Sequence, residues 1–148
     1  MAFRYALQSL LRLRESLERQ EEQCLFALAA LVSRLRAQIE QLHQNEIEVK
    51  RAELREMTTV SLGASLQFSA VREAAFRMVR KKLQMQLEEA ERKRLLKLRE
   101  YQAVRQKREV LQGLRDRQEA AYELGLARHE QQTADEAFLI RTHVLSRE

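Results

Sequence analysis

Proline and tryptophan are absent from this sequence, and glycine occurs only three times in 148 residues. Without proline nothing forces a helix to break, and so little glycine leaves little material for tight turns. Aromatic residues make up 5% of the chain, too few for a many-layered globular core. The single cysteine, Cys24, excludes an internal disulfide and fits a reducing cytoplasm. The longest apolar run, Cys24 to Val32, falls far short of the roughly 20 residues of a membrane span. The opening residues, MAFRYALQSLLRLRE, run straight into charges and lack the apolar core of a secretory signal.

What the chain does contain is charge, 33% of its residues, set among good helix formers. That is the composition of long helices and coiled coils. The net charge of +5 is unevenly spread. Residues 72–117 carry fifteen Lys or Arg against seven Asp or Glu, whereas the tail from residue 118 carries three against six. The middle of the chain is therefore a basic band, and its end is mildly acidic.

One stretch breaks the helical pattern. Residues 57–69 (MTTVSLGASLQFS) hold Thr58, Thr59, Ser61, Gly63, Ser65 and Ser69, and lose the flanking charges. Such residues favour caps and turns over helix interiors. A single break between two long helical runs predicts an all-α, antiparallel two-helix coiled-coil hairpin. The expected arms are about 1–57 and 66–148, with a tip at about 58–65 and a cap at Ser65 or Ser69. With a bend near residue 62, paired residue numbers sum to about 124. Met1 then lies beside about residue 123, and the last 25 or so residues overhang as an unpaired C-terminal helix.

On the first arm, steps of four and three from Phe3 pass through Leu7, Leu10, Arg14, Leu17, Glu21 and Cys24. They continue through Leu28, Leu31, Leu35, Gln38, Leu42, Asn45, Val49 and Ala52 to Glu56. Eleven of these sixteen positions are apolar, a 3.5-residue repeat that argues for a left-handed coiled coil. Gln38 and Asn45 are polar members of that expected seam. The second arm offers Val71, Ala75 and Met78, then Leu83, Leu87 and Ala90, and a register change into Leu95, Leu98 and Tyr101. Gly113 and Gly125 are expected points of local bending or of close approach by another chain.

Catalysis finds no support in these residues. His43, His129 and His143 stand apart, without metal-ligand spacing, and no Gly-rich loop is present to cradle a nucleotide. No cofactor, metal or small-molecule substrate is expected, and the chain reads as a non-enzyme. The basic band raises nucleic-acid binding as an alternative, with RMVRKK (77–82) and ERKRLLKLRE (91–100) as its phosphate-contacting runs. Interleaved acidic residues and the lack of an aromatic ladder weigh against it.

The C-terminal run 105–137 supplies a sharper sign. Arg105, Lys107, Leu111, Gln112, Leu114, the triplet Asp116-Arg117-Gln118, Ala120-Ala121, Gln132 and Asp135-Glu136 resemble the C-terminal signature of the FliJ family of flagellar type III export. That resemblance implies a hairpin similar to the rotor (γ) subunit of rotary ATP synthases. It implies that the terminal end enters the pore of a hexameric, FliI-like export ATPase and stimulates it. The residues implied there are Arg105, Arg115, Arg117, Gln118, Tyr122, Gln132 and Asp135. It also implies contact with a FlhA-like export gate through Gln38, Leu42, Asn45 and Val49 on the first arm. On the second arm the matching positions are Val71, Ala75, Met78 and Lys82. Asn45 and Val49 stand where the family often has aromatics. Export chaperones are further implied partners, and the implied location is the cytoplasm, peripheral to the inner membrane at the flagellar base. The alternatives are a stalk or adaptor of an injectisome and a nucleic-acid-associated coiled coil.

Overall fold

The computed structural model describes residues 2–57 and 62–146. Regular structure among them is entirely helical: α1, Gln8–Glu56, and α2, Leu62–Leu145. The two pack antiparallel, as the single break in the pattern predicts. Thr58 to Ser61 of the expected tip lie outside the described residues. α2 begins at Leu62, before both expected caps: Gly63 and Ser65 fall within its first turn and Ser69 lies deeper inside it. Ser69 instead donates its hydroxyl to Glu53 Oε2 at 3.1 Å, tying α2 back to α1.

The chain forms two compact units. In the unit Gln20–Gln102, Val32, Leu35 and Ala90 make the buried core, with Leu83 and Leu87 packed against it. Ion pairs continue the same seam. Arg36 meets Glu91 at 2.7 Å, and Arg72 meets Glu53 at 3.2 Å. Arg80 hydrogen-bonds Glu46. Their numbers sum to 127, 125 and 126, close to the expected 124 or so.

The unit Met1–Arg19 with Ala103–Glu148 has its own core in Leu11, fully enclosed, and the ring of Tyr5. Tyr5 donates its hydroxyl to the Leu111 carbonyl at 3.1 Å. Residues 2–7 precede the helix, and α1 begins at Gln8. Arg108 grips Glu18 through both Nε (2.5 Å) and Nη2 (3.3 Å). Phe3 tilts against Tyr122 with ring centroids 5.8 Å apart. Their numbers sum to 125, so pairing ends where the overhang was expected to begin. Every described residue from Glu123 onward is exposed.

The seam itself differs from the sequence reading by one column. The repeating buried and half-buried positions on α1 run Leu11, Arg14, Glu18, Glu21, Leu25, Leu28, Val32, Leu35, Ile39, Leu42, Glu46, Val49, Glu53, and Leu17 of the expected column is half-buried beside Glu18. The column through Leu28, Leu35, Leu42 and Val49 is as expected. The other column is Leu11, Leu25, Val32 and Ile39, not Leu10, Cys24, Leu31 and Gln38. Cys24, Gln38 and Asn45 are exposed. On α2 the seam keeps one register through Leu83, Leu87, Ala90, Lys97, Tyr101, Val104, Arg108 and Leu111. There is no register change, and Leu95 lies outside the seam with Val71 and Met78.

Both interior glycines lie on open faces of α2 within this chain. A Cβ on Gly125 would meet nothing within 4 Å, and one on Gly113 would meet only the far end of Arg117. No described glycine has positive φ. Within this chain, nothing packs closely on either position.

Candidate functional site

Two surfaces carry the candidate residues, and each belongs to a separate unit. In the unit with the chain ends, Arg105 donates from Nε to Glu109 Oε1 at 2.8 Å, and Arg117 donates to the Gly113 carbonyl at 3.2 Å. Arg115 is half-buried. Tyr122 closes the paired region against Phe3 and so has a structural duty. Gln118, Gln132 and Asp135 are exposed on α2. The sequence reading passed over the apolar end of that helix. Phe138, Leu139, Ile140, Val144 and Leu145 are all well exposed. The signal was present as the apolar run AFLI directly after Asp135-Glu136.

In the unit Gln20–Gln102, Gln38 and Asn45 are exposed, whereas Leu42 and Val49 are half-buried in the seam. Val71, Ala75, Met78 and Lys82 are all exposed. Positions on α2 advance by 100° per residue. Met78 and Lys82 therefore point away from the stripe Phe76, Leu83 and Leu87 that meets α1. The eight candidates are thus divided between the seam and the surface.

The basic band is less free than its composition suggests. Arg72, Arg80, Lys97 and Arg108 are each held by a glutamate of α1. Lys97 Nζ lies 2.8 Å from Glu21 Oε2, an oxygen sealed from solvent that makes no hydrogen bond among the described residues. Glu21, and then Glu100, push the Lys97 pKa above its ordinary value. Glu18 does the same for Arg108.

Glu46 shows the acid side of this arrangement. The Arg80 guanidinium, with Lys50 beside it, holds the Glu46 carboxyl below its ordinary value of 4.5. A group whose pKa is depressed by folding stabilises the fold above its unfolded value and loses that effect as pH falls through the folded one. Glu46→Gln is therefore expected to lower Tm near neutral pH. The gap from the unchanged chain should close as pH drops below 4.5 in a thermal melt series. A gap that stays constant down to strong acid would deny Glu46 this role.

Among the described residues no cluster of His, Cys, Asp and Glu could hold a metal ion, and no helix is long and apolar enough to cross a membrane. The flagellar FliJ protein family model matches residues 3–147, nearly the whole chain. The chain belongs to the flagellar FliJ family. Membership covers both the paired helices and the overhanging end, and makes this a coiled-coil protein associated with flagellar export. No curated protein and no solved structure matched it. The resemblance to FliJ proteins, whose signature residues lie in the C-terminal run, thus extends over the first arm as well.

Proposed function

We propose that this FliJ family chain is a non-enzymatic stalk of the flagellar type III export apparatus. The overhanging end of α2 enters the pore of a hexameric, FliI-like export ATPase and raises its turnover. The observation that carries this reading is an unpaired helix end with exposed Phe138, Leu139, Ile140, Val144 and Leu145. Apolar side chains left unpartnered on a helix mark a surface that another protein covers. Arg105, Arg115, Arg117, Gln118, Gln132 and Asp135 lie on the same helix and are the polar contacts of this reading. Tyr122 contributes by fixing where pairing stops.

The second surface faces a FlhA-like export gate, through Gln38, Asn45, Val71, Ala75, Met78 and Lys82, with Leu42 and Val49 supporting from the seam. Export chaperones are further partners. The chain works in the cytoplasm, held near the inner membrane by its partners. Neutralisation of Arg72, Arg80, Lys97 and Arg108 by α1 carboxylates speaks against the nucleic-acid alternative.

ATP turnover by the purified export ATPase, titrated with this chain, tests the reading. Concentration-dependent stimulation accompanied by hexamer formation is the expected outcome. Unchanged turnover and assembly, with the chain fully helical, would sink it.

A further inference from the structure

The face of α2 turned away from α1 carries a second stripe. Met78 and Met85 are 75% and 62% exposed and line an open groove of about 740 Å³, flanked by Lys81, Lys82, Glu88 and Glu89. At 100° per residue all of these fall within about 60° of the Met85 direction. The seam residues Leu83 and Leu87 lie on the other side. Ala74 and Leu96 extend the stripe by a helical turn or more at each end, and Leu96 is exposed.

The charges on this stripe are ordered. Two lysines precede Met85 by three and four residues, and two glutamates follow it by the same steps. Turned end for end about Met85, these four charges are complementary to themselves, whereas Arg92, which lines the same groove, comes opposite Met78 and is left unmatched. A two-fold contact requires such self-complementarity, because one surface must meet its own copy. Lys81, Lys82 and Glu88 make no ion pair among the described residues. Glu89 shares only the exposed Lys93, at 3.2 Å.

We propose that this chain associates with a second copy of itself through α2, antiparallel about Met85. Lys81 of one copy faces Glu88 of the other, and Lys82 faces Glu89. The methionines and the Ala74 and Leu96 ends supply the apolar contact. Unbranched, polarizable methionine side chains adapt readily to such a surface. The contact is small, so a dissociation constant on the order of 10–100 μM is expected. Met78 and Lys82 also belong to the proposed gate-facing set, so a dimer would cover part of that surface. The self-association does not rest on the export reading.

Sedimentation equilibrium with a charge exchange tests it. The unchanged chain should pass from monomer to dimer as concentration rises through that range. Lys81→Glu with Lys82→Glu places four carboxylates around Met85, and Glu88→Lys with Glu89→Lys places four ammonium groups there. Each double variant alone should dimerise at least about tenfold more weakly, because four attractive pairs become repulsive. An equimolar mixture of the two should recover the association as a mixed dimer. All four substituted positions are exposed, and circular dichroism should show unchanged helicity. A chain that stays monomeric throughout, variants that dimerise as the unchanged chain does, or a mixture that fails to associate would each overturn the proposal.

Discussion

Truncation after Ala127 is expected to return the export ATPase to its unstimulated rate while leaving the rest of the chain folded. The cut removes Gln132, Asp135 and the exposed apolar group Phe138, Leu139, Ile140, Val144 and Leu145. It spares the Phe3–Tyr122 ring contact, the Tyr5 hydrogen bond and the Glu18–Arg108 pair. Every described residue lost is exposed. Deleting residues without tertiary partners should change Tm little, since helical stability in proteins comes mainly from packing. Turnover and thermal melting together separate the two roles. Lost stimulation with a preserved melt assigns the overhang to partner contact. A collapsed melt would mean that residues beyond Ala127 hold the fold, contrary to their exposure.

Val32→Asp should have the largest effect on stability, and Leu31→Asp next to it should have little. Val32 is 2% exposed and sits in the core with Leu35 and Ala90, whereas Leu31 is 38% exposed. A carboxylate buried at position 32 costs about 3 kcal/mol or more unless the helices separate. Surface substitutions usually stay within about 0.5 kcal/mol, and Leu31, being partly covered, should cost about 1. A two-helix pair has little stability to spare, so Val32→Asp is expected to unfold at 25 °C. Urea denaturation followed by circular dichroism ranks the two variants. If Leu31→Asp proved the more damaging, the seam would run through Leu10, Cys24 and Leu31 after all.

That pair of neighbours also explains what could be read from the sequence and what could not. The hairpin and its overhang follow from one break in the pattern and simple counting, and the Phe3–Tyr122 contact falls where counting puts it. The seam's exact column does not. Leu10 and Leu11, Cys24 and Leu25, Leu31 and Val32 are adjacent apolar pairs, so counting apolar residues scores both columns well. Charge then tips the choice the wrong way. Glu18, Glu46 and Glu53 look like surface residues, yet they lie in the seam because Arg108, Arg80 and Arg72 meet them from α2. Pairing across helices is invisible when each arm is read alone.

α2 misleads for another reason. Its stripe through Val71, Met78 and Met85 is as regular as the true seam, but it faces away from α1. A helix with two apolar faces gives no single direction to follow. The candidate surfaces inherit the same limits. Gln132 and Asp135 were legible through the family signature, whereas the apolar end from Phe138 carries no such signature and emerges only from its exposure. Tyr122 packs against Phe3, a pairing that reading either arm alone does not show.

Site-specific photo-cross-linking most directly tests the claim that the end of α2 is the ATPase-facing surface. A photoreactive residue would replace Gln132 or Leu139 in the overhang, and His43, exposed on α1, as the comparison. With the export ATPase present, the overhang positions are expected to capture an ATPase subunit and position 43 is not. Capture from position 43 with none from 132 or 139 would contradict the account.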